Sequence, residues 1–329
     1  MMDAVLENFN NSNYTYSFFP SVSEKYNISE GISSHSFIDN GRKRFFEIHI
    51  AKVINIIVFV ISIFGAVGNG IVIWLLGFRI KRNPFMTYIL NLAVADFGFL
   101  LSLSVLLPCL SFLFYFGFDK TSLSFFLLAI LMNGASQFLL TAISIDRCVA
   151  VFFPLWHQCK RPPRMSTIVC ALIWVLSVLL TAITITLVFF NTNEQPIENF
   201  YQFIVNAVLC LPVMTIATVS LFIKVWLKEQ QRRRGRLLTI VLLTLLFFLL
   251  FAFPANVIFI LAHFDYLPEY MSTVPALLDC LNSSVNPFIY FLVGRPWKSR
   301  HRESMRVILQ KVFKEEKSCT EETPAETQL

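Results

Sequence analysis

Asp96, Asp146, Arg147 and Asp279 interrupt stretches of the sequence that are otherwise apolar, and any chemistry has to start from them. A charge at the centre of a hydrocarbon layer costs at least ~2.5 kcal/mol, so each needs a partner, water or an aqueous cavity. Asp96 and Asp279 are therefore expected to face the interior of a helix bundle. The adjacent Asp146 and Arg147 are expected at a rim, where a guanidinium is able to trade one desolvated partner for another. Carboxylates placed in this way hold cations or hydrogen-bond donors. They are not arranged for catalysis: no Ser/His/Asp set and no carboxylate pair converges on one face, and His and Cys residues do not cluster at metal-ligand spacing. Neither an enzyme nor a metal centre is expected, and His263 reads as a rim residue.

The elements that position these residues are seven apolar runs, at about 51–77, 87–112, 124–150, 166–190, 200–226, 237–262 and 271–293. Each is long enough to span a hydrocarbon core of roughly 30 Å as a helix. Of the 329 residues, 56% are hydrophobic and 15% charged, against about a quarter charged in a soluble domain, which excludes a water-facing fold. Continuous runs of this length satisfy their backbone internally as helices, whereas a β-barrel would show short alternating segments. The expected fold is an all-α seven-transmembrane bundle over 51–293, with an N-terminal segment 1–50 and a cytoplasmic segment 294–329. Pro212, Pro254 and Pro287 break helix hydrogen bonds in the last three spans and predict kinks able to move.

Basic residues set the orientation. Arg79, Lys81 and Arg82 follow the first run, Lys160, Arg161 and Arg164 the third, and Lys224, Lys228, Arg232, Arg233, Arg234 and Arg236 the fifth, while the alternate loops offer only Lys120. Basic loops stay cytoplasmic, which puts the N-terminus outside, at the plasma membrane; Arg42, Lys43, Arg44 and Lys52 before the first run argue the other way and are outweighed. The N-terminal segment reads as disordered, without a cleaved leader, and carries acceptor triplets for glycosylation at Asn10, Asn13 and Asn27. Beyond the seventh run, Met305, Ile308, Leu309, Val312 and Phe313 share a stripe opposite Arg300, Arg302, Arg306, Lys311 and Lys314. That pattern predicts a short amphipathic helix, lying on inner-leaflet lipids or docking on a soluble partner.

Several motifs then fall in order on successive runs: Gly68-Asn69-Gly70, Leu92-Ala93-Val94-Ala95-Asp96, Asp146-Arg147-Cys148, Trp174, Pro212 and Asn286-Pro287-Phe288-Ile289-Tyr290. With them the chain resembles the rhodopsin-like G-protein-coupled receptors. The segments Ile73–Arg79, Arg82-Asn83-Pro84-Phe85, Leu140–Ser144, Cys159–Pro162 and Asn282-Ser283-Ser284 are similar to the Mas-related branch, and the likeness covers about residues 50–315. The resemblance implies a receptor that passes an extracellular ligand's signal to a heterotrimeric G protein. It implies Asp146, Arg147 and Tyr290 as the G-protein switch. It also implies Asp96, Ser136, Asn282, Ser283 and Asn286 as a polar network, holding either a sodium ion or water alone; no other cofactor is expected.

Departures from the family pattern carry expectations of their own. Ala252 stands where the superfamily has a tryptophan, Ser220 where it has a tyrosine, and Arg234 where an acid would pair with Arg147, so a weaker resting lock and ligand-free signalling are expected. Ser122 replaces the usual disulfide cysteine, and no bridge between outer loops is expected. Ala129 and Ile130 replace the acid of amine receptors, and no lysine in the seventh run excludes a retinal Schiff base. Asp279 either meets a polar or cationic ligand or joins the Asp96 network as a neutral acid. Glu198 and Asp265, with Asp119, Glu194 and Glu269, make a negative rim beside Tyr266, Tyr201, Phe264 and Tyr270 that suits a cationic peptide or amphiphile.

The tail hydroxyls Ser318, Thr320, Thr323 and Thr327 suit phosphorylation and arrestin-like partners. The final Thr327-Gln328-Leu329 fits a PDZ groove, Cys319 is a weak lipidation candidate, and Arg232-Arg233-Arg234 suits a G protein or lipid phosphates. No nucleic-acid partner is expected. A transporter or channel is the alternative class and would show inverted repeats; a lipid-modifying enzyme would need clustered His or acids at one membrane face. The sequence contains neither.

Overall fold

A computed structural model describes residues 34–80, 84–116, 120–159, 161–162, 164–190, 204–227, 235–263 and 266–294, and among them every regular element is helical. α1 runs Ser34–Trp74 and ends in a single π turn, Leu75–Arg79. α2 is Pro84–Phe116, α3 Lys120–Phe152, and α4 the short Pro154–Cys159. α5 is Met165–Phe190, and α6 is Leu211–Leu227, preceded by a π turn at Asn206–Cys210. α7 is Gly235–His263, and α8 is Val274–Gly294, entered through a 3₁₀ turn at Glu269–Thr273.

The helices pack into one bundle. α1 packs on α2 and α8, α8 on α7, α7 on α6, and α3 touches α2, α5, α6 and α7. Six helices are long and apolar enough to cross a membrane by length and composition. α8 is the seventh, and its lower apolar content has a cause: Asp279, Asn282, Ser283, Ser284 and Asn286 are all buried on it, facing the bundle. α5 is the opposite case. Leu172, Val175, Leu179 and Ile183 are exposed along its outer face, and Ser177, Thr181 and Thr184 satisfy their hydroxyls on carbonyls of their own helix. Its outer surface is fit for lipid, and α8's inner surface is not.

The boundaries correct the sequence reading in two places. α1 begins at Ser34, not near residue 51, so residues 34–50 are helical where a disordered segment is expected. No proline falls between Ser34 and the apolar run, and a long membrane helix supplies the nucleus that lets a polar stretch propagate. At 41 residues, α1 is about 60 Å long, twice the hydrocarbon thickness. Pro108 also lies inside α2, alongside the expected Pro254 and Pro287 in α7 and α8. Pro212 instead sits one residue into α6, just after the π turn, which absorbs the missing hydrogen bond.

Close packing fixes α8. A Cβ on Gly65 of α1 would collide with Ser284 Oγ of α8 and meet Leu100 Cδ1 of α2 at 2.8 Å. One turn on, Asn69 Nδ2 donates to Gly65 O at 3.0 Å and to Ser283 O at 3.1 Å. A small residue permits the approach, and the amide then ties the two backbones together.

Candidate functional site

Asp146 and Arg147 lie near the end of α3, and the chain beyond them turns back over them. Phe153 leaves the helix, and Pro154 opens α4, where its missing N–H is no loss. α4 therefore carries His157 beneath the end of α3, and Arg161 follows one helical turn later. Arg147 Nη2 donates to Asp146 Oδ2 at 2.6 Å, and Arg161 Nη2 reaches Asp146 Oδ1 at 2.8 Å. His157 Nε2 stands 3.8 Å from the same Oδ1. Arg161 also donates to Ser166 Oγ of α5 at 2.7 Å and lies 2.6 Å from His157 Nε2. The Arg147 guanidinium rests over the Phe85 ring, 4.2 Å from its centroid. Asp146 and Arg147 are thus in contact, with Arg161, expected in a basic loop, and His157, not singled out from the sequence, as further neighbours of the carboxylate.

Lys224 is a second such residue. It reads as a loop charge, yet its Nζ donates to Val151 O at 2.6 Å and lies over the Phe152 ring at 4.1 Å. An ammonium at the C-terminus of α3 satisfies an orphan carbonyl and complements the helix dipole, and it ties α6 to the Arg147 end of α3.

Asp96 lies at the bundle centre and is fully buried. Ser136 Oγ of α3 donates to its Oδ1 at 2.6 Å, and Asn286 Nδ2 of α8 to its Oδ2 at 2.8 Å. Ser283 is buried on the same helix as Asn286, and its hydroxyl closes no hydrogen bond. Asn282 is buried on the same helix, and the Tyr290 hydroxyl is buried with no partner. The expected network therefore forms around Asp96 with Ser136 and Asn286, and Ser283 is its open member.

Asp279 of α8, 5% exposed, stands apart from this group. Asn133 Nδ2 of α3 donates to its Oδ2 at 3.1 Å, and no cation pairs with it among the described residues. Gln137 Nε2, one turn further along α3, is 3.5 Å from Asn133 Oδ1, and Gln137 Oε1 is buried without a partner. Asn133 was absent from the sequence reading, because its contact spans 146 positions.

The rim residues divide. Tyr266 is 75% exposed, and Tyr270 is half-buried on the turn that leads into α8. Glu198 and Asp265, the acceptor triplets at Asn10, Asn13 and Asn27, Arg234 and the segment after Gly294 lie outside the described residues. Cys109, Cys148, Cys170, Cys210 and Cys280 are free thiols. Among the described residues, no group of His, Cys, Asp or Glu is placed to hold a metal ion.

Comparison with known proteins adds what geometry alone does not. Residues 68–290 match the model for the 7 transmembrane receptor (rhodopsin family). The chain is 33% identical to the rat (Rattus norvegicus) Proto-oncogene Mas, over 80% of this chain and 84% of that one. It is 37% identical to the rat Mas-related G-protein coupled receptor member H, over 81% of this chain and 85% of the relative. Against the human (Homo sapiens) Mas-related G-protein coupled receptor member D the identity is 38%, over 77% of this chain and 82% of the relative.

Proposed function

Because the chain belongs to the rhodopsin family of seven-transmembrane receptors and is a Mas-related G-protein-coupled receptor, we propose that it takes a basic peptide or amphiphile at Asp279 and presents Arg147 to the G protein. In this reading the receptor sits in the plasma membrane with its N-terminus outside. It is a signalling receptor and not an enzyme, and the transporter alternative is not favoured.

The observation that carries the ligand reading is the state of Asp279, a buried carboxylate with one amide donor. Burial of a charge is tolerated when it is paired and hydrogen-bonded. An ammonium or guanidinium from outside completes a partner set that the protein leaves short, through charge-assisted bonds of roughly twice the usual strength. The response then has a direct route inward. Asn133 and Arg147 stand on the same helix, so a ligand that draws Asn133 toward or away from Asp279 biases a rigid element about 20 Å long that ends at the switch.

The same reading gives the other candidates their places. Asp96, Ser136, Asn286, Asn282 and the open Ser283 hydroxyl offer hard oxygen donors of the kind a sodium ion takes. Tyr290 serves beside Arg147 when the cytoplasmic side opens. Glu198, Asp265 and Tyr266 contribute to a negative, aromatic mouth that steers cations inward, and Asn10, Asn13 and Asn27 carry glycans. The tail hydroxyls recruit arrestin-like proteins once phosphorylated, the basic segments meet inner-leaflet lipids, and Thr327-Gln328-Leu329 takes a PDZ groove.

The deciding experiment is a screen of basic amphiphilic peptides on cells expressing the wild-type chain or Asp279→Asn, read by calcium and cyclic-nucleotide signals. A basic peptide that activates the wild type and loses potency on Asp279→Asn supports the reading. Equal potency on both would remove Asp279 from the ligand site.

A further inference from the structure

Asp146 holds two guanidiniums at once, one on each oxygen: Arg147 on Oδ2 and Arg161 on Oδ1. All three side chains are nine-tenths buried or more, with exposures of 5% for Arg147 and 9% for Asp146 and Arg161. Arg161 is fixed from three sides, by the carboxylate, by Ser166 Oγ at the start of α5, and by the His157 imidazole on α4. From this geometry we infer that Arg161 is a positioning residue for the switch, keeping Asp146 neutralised from the loop side so that Arg147 leaves the carboxylate without stranding a buried charge.

The argument is one of compensation. Removing one partner of a buried ion pair is strongly unfavourable because the remaining charge has no counter-ion. A receptor whose Asp146 had Arg147 alone would meet that penalty at each activation. Here the carboxylate keeps Arg161 on its other oxygen throughout. Arg161 does not follow Arg147 outward, since Ser166 and His157 hold its fork in place. Arg suits this work better than Lys, because its planar fork reaches Asp146, Ser166 and His157 together. The inference rests on the reading of Arg147 as the group presented to the G protein.

His157 supplies a readout that a merely structural role would not move. Its surroundings are Asp146 and Arg147 from α3, Arg161 from the segment after α4, and Ser166 at the start of α5; Tyr88 of α2 and Cys170 of α5 border the same cluster, and Lys224 of α6 is engaged with the α3 terminus. An arginine only donates, so the imidazole Nε2 accepts from Arg161. Once Arg161 is gone, a protonated imidazole 3.8 Å from Asp146 Oδ1 is the remaining cation able to take its place.

The test places the full-length chain in lipid nanodiscs and measures the affinity of a peptide copying the C-terminal helix of a Gα subunit, near pH 7.4 and near pH 6. Arg161→Gln is expected to weaken the peptide about tenfold near pH 7.4, within the usual span of coupling factors. Most of that loss should be recovered near pH 6, and the further change His157→Ala should abolish the recovery. Arg161→Lys should retain part of the affinity at both pH values, and it stands in, with the same His157 comparison, should Arg161→Gln fail to fold. Undiminished affinity in Arg161→Gln, or a loss equal at both pH values, overturns the inference. Arg147→Ala separates the two readings: if it binds the peptide like the wild type, the role of Arg147 fails as well, whereas a loss there beside an unchanged Arg161→Gln removes Arg161 alone.

Discussion

Asp146 lies on α3 and Asp279 meets α3 from α8, and the protein treats the two carboxylates in opposite ways. At the C-terminal end of α3, Asp146 meets Arg147, Arg161 and His157 within 4 Å. Farther back along α3, Asp279 meets the Asn133 amide. The first charge is completed by the fold, so its cost is met internally and its partners are held in place. The second is left with one amide donor, and under the proposed function a cationic ligand completes it. One helix carries both contacts, and under the proposed function it is the element that links them.

The largest effect should come from removing the completed charge. Asp146→Asn leaves Arg147 and Arg161 buried without their counter-ion, and breaking a buried pair in this way costs about 3–5 kcal/mol. Thermal unfolding in nanodiscs should show the drop, and ligand-free nucleotide exchange on added G protein should rise in the protein that remains folded. An unchanged melting temperature would mean that the cluster contributes little, and the contrast with Asp279 would disappear.

Asp279→Asn makes the complementary case. Exchanging a lone buried carboxylate for an isosteric amide keeps an acceptor for Asn133, so the melting temperature should hold or rise. The loss should appear in recognition instead. A hydrogen bond to a charged group is worth about 1.5–3 kcal/mol, or roughly 10–100-fold in the potency of a basic peptide. A variant that unfolds more readily while responding equally well would reverse the comparison.

Asp279 depends on where α8 sits, and Gly65 tests that placement. Gly65→Ala drives a methyl into Ser284 Oγ and toward Leu100, and overpacking of this kind costs about 1–3 kcal/mol. Gly98→Ala is the control: its Cβ meets only the Met132 side chain, with the sulfur at 2.8 Å, and a flexible thioether is able to move aside. The expected order is a clearly lowered melting temperature for Gly65→Ala and a smaller change for Gly98→Ala. Equal effects would mean that the α1–α8 seam is no tighter than the α2–α3 one.

The seven-helix fold was readable from the apolar runs, because a run of that length in lipid has one way to satisfy its backbone. The helical stretch from Ser34 to residue 50 was not, since polar composition without a breaker does not say where a helix starts. The π turns at Leu75–Arg79 and Asn206–Cys210 leave no mark that residue types reveal. In the site, Asp146 beside Arg147 and the lone Asp96 and Asp279 were visible as charges in apolar sequence. Their partners were hidden for two reasons. Asn133 and Asp279 meet only through tertiary packing. Arg161 looked like one more basic loop residue, because burial of a loop depends on the chain folding back. One local signal did exist: Pro154 opens a short helix directly after α3 and so turns the chain back toward the Asp146–Arg147 end.

Asp96 is intermediate between the two carboxylates, and it gives the smallest effect and the finest test. Ser136 and Asn286 donate to it, so it is better supplied than Asp279, but both donors are neutral, unlike those of Asp146. The Ser283 hydroxyl has no partner and is free to act as a ligand. A monovalent cation bound there stabilises the folded state by mass action, by about 1 kcal/mol when its concentration is several times the dissociation constant. Sodium chloride should therefore raise the melting temperature of the wild type slightly above choline chloride at equal ionic strength. Asp96→Asn should remove the difference, and Ser283→Ala should reduce it without touching either existing hydrogen bond to Asp96. Should sodium and choline give the same melting curve in the wild type, Asp96 belongs with the carboxylates that the fold completes by itself, and Asp279 alone is left for a cation to satisfy.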